Sequence, residues 1–306
     1  MKKAYLELGY ACNNFCKHCF VPQTQMKRDL NTDEIKGILD RLENEGYSVV
    51  AFTGGEPTLR RDLFELVRYA RSIGLENIEL QTNGRILYYA DYAKQIKKMN
   101  FSKVGLSIHS HKKKQHEYLT QAQGSWEQTV QGIKNAIKFG IPLMTNTVIS
   151  RINYTDIEDT VIMLSKLGVK EIELDFIRFI GNAEKYFPVL SVRMSDIWPF
   201  LRKTFDHSAE LPLEMIYIDD YPLCLMNGYE KFNADSFGEG VHDEDAMHFN
   251  TDFKGGESIH KNEKIYTNKC GVCAHRGKCQ GIWKEYLKHF GDKEFRPVRY
   301  LHESVH

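Results

Sequence analysis

Nothing in the sequence could serve as a membrane span: no apolar run approaches the roughly 20 residues a helix needs to cross a bilayer. An export signal is missing too, because Met1-Lys2-Lys3 leads into Ala4-Tyr5-Leu6-Glu7-Leu8, too short and too charged an opening. Neither charge is in surplus. Lys+Arg and Asp+Glu both number 41, which removes any general attraction to nucleic acid or to an acidic membrane surface. Internal repeats and low-complexity tracts are lacking as well. These absences point to a cytoplasmic protein with no nucleic-acid and no membrane partner. Cysteine is sparse, seven among 306 residues, and in a reducing cytoplasm such thiols serve metals rather than disulfides.

What is present is an ordinary globular composition, 42% hydrophobic and 27% charged. The length suits one large domain, or a domain with an appendage. The basic run Lys112-Lys113-Lys114 reads as a solvated loop. Strand and helix patterns alternate through the first two-thirds. Strands are expected at about 3–9, 48–52, 77–81, 103–108, 143–149 and 171–176. Helices are expected from Asn31-Thr32-Asp33-Glu34 onward, then at about 60–73, 88–98, 126–138 and 154–167, several closing on glycine. Six such repeats call for parallel strands with helical crossovers, two units short of a closed eight-fold barrel. The expected fold class is therefore α/β, a partial (β/α)6 barrel over 1–206. Beyond about residue 207 the alternation stops, and 207–306 reads as a small, irregular, cysteine-rich extension.

The informative stretch is Cys12-Asn13-Asn14-Phe15-Cys16-Lys17-His18-Cys19. Three thiols so close cannot form a disulfide framework, since one is always left over. A mononuclear zinc site wants a fourth ligand nearby, and no obvious one follows. Three thiolates from one loop suit a cubic [4Fe–4S] cluster with one iron open to an outside ligand. This CxxxCxxC loop resembles the signature of the radical S-adenosylmethionine (radical SAM) superfamily. That resemblance implies a partial barrel and a [4Fe–4S] cluster ligated by Cys12, Cys16 and Cys19. It also implies that S-adenosylmethionine (SAM) chelates the open iron.

Other motifs fall at the carboxyl ends of the expected strands, where ligands gather in parallel folds. Thr53-Gly54-Gly55-Glu56-Pro57 follows strand two, and Thr82-Asn83-Gly84 follows strand three. Glycines there admit positive φ and a close approach to the backbone. By the resemblance, the Gly54-Gly55-Glu56 segment runs along the amino group of SAM, with Glu56 near that ammonium and Pro57 fixing the turn. Asn83 and Ser107 stand where family members hold the ribose and carboxylate, although turn capping explains them equally well. Phe20, Thr53, Asn146 and Arg178 complete the implied cofactor-binding set. An arginine at 178 grips a carboxylate in bidentate fashion or makes an ion pair. His18 departs from the family, which usually has an aromatic residue before the last cysteine to pack on adenine; imidazole can do the same. His109, His111 and His116 read as surface or substrate-loop histidines.

The remaining cysteines sit in the tail. Cys270-Gly271-Val272-Cys273 and Cys279, with Cys224 upstream, account for every cysteine outside the first loop. Four thiolates close a tetrahedral zinc or fully ligate a second iron–sulfur cluster, and the residues alone leave both open. Attached to this core, the arrangement resembles the auxiliary-cluster extension called a twitch domain, which implies a second [4Fe–4S] cluster with zinc as the alternative. Another reading leaves Cys224 free as a hydrogen-atom donor, with three auxiliary ligands. The closing segment, Gly281-Ile282-Trp283 through Tyr286 to Phe290-Gly291, is expected to be a helix packing that lobe.

The resemblance implies reductive cleavage of SAM to a 5′-deoxyadenosyl radical, which takes a hydrogen atom from an unactivated carbon; the cofactor carries the hard step. A low-potential donor such as flavodoxin or ferredoxin is implied as the source of the electron. Family members with such tails often modify ribosomally made peptides by crosslinking, thioether formation or epimerisation; others act on small metabolites or cofactor precursors. The cluster-bearing strand begins almost at Met1, leaving no room for a preceding peptide-recognition domain, which counts against a leader peptide. The alternative from another class is a non-catalytic regulatory protein holding zinc at both sites.

Overall fold

In the computed structural model, described for residues 2–20, 28–236, 247–249 and 263–299, strand and helix alternate from residue 3. The first four units are β1 (Lys3–Glu7), α1 (Thr32–Asn44), β2 (Val49–Thr53), α2 (Leu63–Ser72), β3 (Asn77–Thr82), α3 (Ala90–Met99) and β4 (Lys103–Ser107). Next come α4 (Lys113–Thr120), α5 (Ser125–Phe139), β5 (Leu143–Ile149), α6 (Ile157–Leu167) and β6 (Glu171–Phe176). Two short helices, α7 (Asn182–Lys185) and α8 (Phe187–Leu190), precede α9 (Met194–Ser208) and β7 (Met215–Asp219). The remainder contains β8 (Met247–Phe249), β9 (Lys264–Ile265), β10 (Ile282–Trp283) and α10 (Lys284–Phe290).

Local chemistry accounts for these boundaries. Asn31 caps α1 by accepting the Glu34 N–H at 2.9 Å, while the Glu34 carboxylate accepts the Asn31 N–H at 3.0 Å. That capping box contributes about 1 kcal/mol. Ile35, Ile38, Leu39 and Leu42 then form the buried face, the i, i+3, i+4, i+7 spacing of an amphipathic helix. Helices α5 and α6 stop at Gly140 (φ 65°) and Gly168 (φ 97°), left-handed positions that glycine occupies without penalty.

The strands run parallel in the order β7-β6-β5-β4-β3-β2-β1-β8. Among the described residues no pairing joins β7 to β8, so the barrel is open. Outward positions such as Leu6, Phe52, Leu80, Leu106, Ile172 and Leu174 are fully buried beneath the helices. The alternate positions carry Lys3, Glu79, Asn146, Glu173, Tyr217 and Asp219. They bond across the lumen face: Lys3–Glu79 at 2.6 Å, Tyr217 Oη to Glu173 at 3.1 Å. The lumen wall is polar and the outer face apolar, as strand periodicity requires.

The partial barrel is as expected, but the sheet is wider than six strands. The expected division at 206/207 falls inside α9, and β7 continues the pattern by pairing with β6 from Glu171↔Met215 to Asp175↔Asp219. Strand β8 adds to the far edge beside β1. Strand β8 has three residues and gains its partner from a distant part of the chain, whereas β7 is as long as β1, and its run Met215-Ile216-Tyr217-Ile218-Asp219 was the overlooked signal. The run Lys112-Lys113-Lys114 is not a loop. It opens α4, with Lys112 paired to Asp156 at 2.8 Å and Lys113 to Glu127. No described helix is long and apolar enough to cross a membrane.

Candidate active site and cysteine centres

The cysteine loop leaves β1 at the carboxyl edge of the sheet and is stitched down on three sides. Toward β2, the Gly55 N–H donates to the Gly9 carbonyl at 2.7 Å and the Glu56 N–H to the Ala11 carbonyl at 2.8 Å. Toward α4, the Phe15 N–H donates to the Thr120 carbonyl at 2.9 Å and the Lys17 N–H to that of Leu119 at 2.8 Å. Toward α7, Asn182 donates through its side chain to the Cys16 carbonyl at 3.0 Å and through its backbone to that of Cys19 at 2.9 Å. Burial first, then the neighbouring Cys19 and Cys12, raises the Cys16 thiol well above its ordinary range.

Gly54 and Gly55 are needed by the loop itself. A Cβ on Gly54 (φ 110°) would lie 2.5 Å from the Gly9 carbonyl oxygen, and one on Gly55 would collide with the backbone of Tyr10 and Ala11. The close approach that glycine permits here is backbone on backbone. Glu56 is buried, and its carboxylate is occupied within the protein. Oε1 accepts from the Thr58 N–H (3.1 Å), Thr58 Oγ1 (2.6 Å) and Thr82 Oγ1 (2.7 Å), while Oε2 accepts from the Asn83 N–H at 2.7 Å. Desolvation raises its pKa against those bonds. The side chain expected beside an ammonium thus fastens the turn after β2 to the turn after β3.

Asn83 in turn donates to Asn13 Oδ1 at 2.6 Å. Arg85, which sequence reasoning passed over, donates to the Asn13 carbonyl, to Asn14 Oδ1 at 2.9 Å and to Gln128 at 2.7 Å. A basic residue directly after Thr-Asn-Gly was the available signal. Thr53 donates to Gln81 at 2.7 Å. Ser107 pairs in register with Asn146, and Phe20 is about half exposed.

The histidines do not lie on the surface. His18, His109 and His116 are buried, His18 meeting His109 edge-on at 4.2 Å and His109 stacking on His116 at 5.7 Å. His116 Nδ1 accepts the His109 N–H at 3.2 Å, and His109 Nδ1 accepts that of Val148 at 3.3 Å. Burial pushes His18 down to about 4 and His116 to about 3, so all three rings are neutral at pH 7. Only His111, partly exposed, fits the original expectation.

Asn146 is drawn into a wall of carboxylates. Its Nδ2 donates to Asp175 at 2.6 Å and Glu173 at 3.0 Å. Oxygens of Glu173, Asp175 and Asp219 lie within 4.8 Å of one another, and burial together with Glu173 and Asp219 raises Asp175 well above the carboxylate range. The alternation Glu171-Ile172-Glu173-Leu174-Asp175 was the overlooked sign of a polar lumen face. Arg178 takes the ion-pair reading. It pairs with Glu263 and with Glu285 (3.4 Å) and lies 3.6 Å over the Trp283 ring, tying β6 to the segment around β9 and β10. Lys264 covers the same indole at 4.7 Å and pairs with Asp220 at 2.9 Å.

The tail cysteines fall in two stretches, Cys224 after β7 and Cys270, Cys273 and Cys279 between β9 and β10. Cys270 and Cys273 flank one tight turn, the Cys273 N–H donating to the Cys270 carbonyl at 3.2 Å. The Gly281 N–H approaches Cys279 Sγ at 3.4 Å. Burial, then Cys279, Cys273 and Cys270, pushes the Cys224 thiol up to about 12. Among the described residues, only the three wall carboxylates bring three ligand atoms all within 4.8 Å of each other. Neither cysteine set is drawn in to the roughly 3.8 Å sulfur separation that a single tetrahedral zinc imposes with its bonds of about 2.3 Å.

Residues 6–164, just over half of the chain, match the sequence model of the Radical SAM superfamily. The chain belongs to the radical SAM superfamily. Among similar proteins are the AdoMet-dependent heme synthase of Oleidesulfovibrio alaskensis, 30% identical over 53% of this chain and 42% of that one, and a probable GTP 3′,8-cyclase of Sulfurisphaera tokodaii, 29% identical over 59% and 57%. This radical SAM chain thus spans about half the length of the curated relatives it matches. Similar solved structures share its fold. Streptococcus suis SuiB bound to S-adenosylmethionine superposes with a TM-score of 0.69 at 13% identity, covering 96% of this chain and 76% of that one. Native anSMEcpe with bound AdoMet and Kp18Cys peptide gives 0.58 at 19%, covering 74% and 62%.

Membership implies a [4Fe–4S] cluster and SAM, and the residues present fit both. Three half-buried thiols from one pinned loop match the donor set of a cluster with an open iron. Beside them His18 Nδ1 is buried with no hydrogen-bond partner among the described residues, an atom that a polar ligand would satisfy.

Proposed function

We propose that this chain is a radical SAM enzyme acting on a ribosomally made peptide, with Cys12, Cys16 and Cys19 holding the SAM-binding cluster. Cys224, Cys270, Cys273 and Cys279 hold an auxiliary [4Fe–4S] cluster in a twitch-like unit that follows β7. When bound, the first cluster and SAM supply the 5′-deoxyadenosyl radical that abstracts a substrate hydrogen atom. The protein's own part is positional. Glu56, Asn83 and Arg85 lock three strand-end turns together around the cysteine loop, so the reacting groups are held rather than gathered at each turnover. The lumen face, with Asn146, Glu173, Asp175 and Asp219, presents hydrogen-bonding groups to a substrate entering the open barrel. The observation that carries this reading is the three-cysteine loop pinned to the turn after β2, to α4 and to α7 at the carboxyl edge of the sheet. Superposition on SuiB and anSMEcpe, solved with precursor peptide SuiA and with Kp18Cys peptide, supports a peptide substrate.

The second reading, a small nucleotide or cofactor precursor, draws on the sequence similarity to a probable GTP 3′,8-cyclase. Anaerobic reconstitution with iron and sulfide, followed by SAM, dithionite and either candidate peptides or GTP, separates them. Substrate-dependent 5′-deoxyadenosine with a mass change in a peptide supports the first reading; turnover of GTP supports the second. Colourless protein loaded with zinc after reconstitution would remove both.

A further inference from the structure

The outer edge of the cysteine loop is an exposed aromatic surface, and it adjoins Cys16 directly. Phe15 is 57% exposed and Tyr118, on α4, 45% exposed. Both are large apolar groups in water beside the cysteine loop. They form one patch. Lys17 Nζ sits 4.6 Å over the Tyr118 ring and 4.4 Å over the Tyr186 ring, and Gln121 donates to the Phe15 carbonyl while accepting from Lys17 and Tyr186 at 3.3 Å. The rim is basic. Lys185 lies 5.6 Å over Tyr186, and Lys114 stands one helical turn before Tyr118 on the same face of α4. Of the neighbouring acids, Glu117 is engaged by the Gly124 N–H at 2.8 Å, and Glu184 is exposed next to Lys185.

A chain of zero net charge that gathers Lys17, Lys114 and Lys185 around three aromatic rings has a local site for an acidic partner. Exposed aromatics with a charged rim are the composition of a protein interface. We propose that this patch docks an acidic one-electron carrier protein of the flavodoxin or ferredoxin type, delivering its electron across Phe15 to the cluster held by Cys16. The step is a single outer-sphere transfer: the carrier is oxidised by one electron, the cluster is reduced by one, and no bond is made or broken. The inference rests on the proposed radical SAM reading and adds to it the surface through which the electron enters.

The test uses the reconstituted holoenzyme under anaerobic conditions, with cluster reduction followed by stopped-flow absorbance. Reduced flavodoxin and dithionite are compared for the wild type, a Lys114→Glu/Lys185→Glu variant and Tyr118→Ser. Charge reversal should slow reduction by flavodoxin about tenfold and flatten its dependence on salt. Tyr118→Ser should slow it at all salt concentrations. Dithionite, too small to need a docking surface, should reduce every variant at the wild-type rate. Unchanged flavodoxin rates in both variants would overturn the docking site. So would equal slowing by both reductants, because the damage would then lie at the cluster. A wild-type chain that fails to cleave SAM even with dithionite would overturn the proposed function and this inference with it.

Discussion

The Glu56 carboxylate accepts the backbone N–H of Asn83 across 2.7 Å, and through that bond the turn after β2 positions the turn after β3. Asn83 passes the constraint on to Asn13 in the cysteine loop. One buried carboxylate therefore fixes the relative placement of three motifs that lie far apart in sequence.

Glu56→Ala should leave the donors of Thr58, Thr82 and Asn83 buried without an acceptor. The expected cost is about 3 kcal/mol or more, since each such orphan costs about 1–3 kcal/mol. Denaturant unfolding of the apoprotein measures it. A loss below about 1 kcal/mol would show that water reaches the site and that the strap is unimportant.

The two cysteine sets should separate cleanly in function. Cys12→Ala, Cys16→Ala or Cys19→Ala should abolish 5′-deoxyadenosine formation and remove roughly four irons per chain. Cys270→Ala or Cys273→Ala should spare SAM cleavage without substrate and stop product formation. Iron analysis paired with chromatography of both products reads the difference, and full turnover in the Cys270 variant would contradict an auxiliary cluster.

Arg178→Ala removes the partner of Glu285 and uncovers the Trp283 face. Breaking a largely buried pair costs about 3–5 kcal/mol, and Arg178→Lys should restore only part of this, because lysine lacks the planar fork and stacks poorly. Because Arg178 ties β6 to the tail, the Ala variant should also lose iron from the second set before the first. Equal loss from both would argue against that selective role.

The buried imidazoles make the apoprotein acid-sensitive. His116 is held at about 3 against an ordinary value of 6.5, so below pH 6.5 the unfolded chain binds a proton that the folded chain refuses. Its contribution is fully present above pH 6.5 and declines as pH falls toward 3. Between pH 6.5 and 5 the loss is about 2 kcal/mol per imidazole. Thermal melts of the apoprotein at pH 7 and pH 5 should differ accordingly, and a His116→Gln variant that folds should show a smaller difference. An identical pH dependence in that variant would assign the effect elsewhere.

The sequence by itself determined the strand–helix alternation, the open barrel and the CxxxCxxC loop that follows the first strand. These are local properties: helical and strand periodicities, capping residues such as Asn31, and thiol spacing within a single loop. Only the tertiary structure decided what the polar residues touch. Arg178 sits at a strand end where a ligand-binding arginine and an interface arginine look alike in one dimension; Trp283, more than a hundred residues later, settles it. Glu56 beside a glycine pair suggests a ligand contact until Thr82 and Asn83 are brought within hydrogen-bond reach by the β2–β3 pairing. His18, His109 and His116 belong to two segments whose periodicity gives no reason to bury an imidazole, and they become buried only because the cysteine loop folds back over α4. Side-chain partnership between distant strands follows from register and packing, which no local pattern encodes.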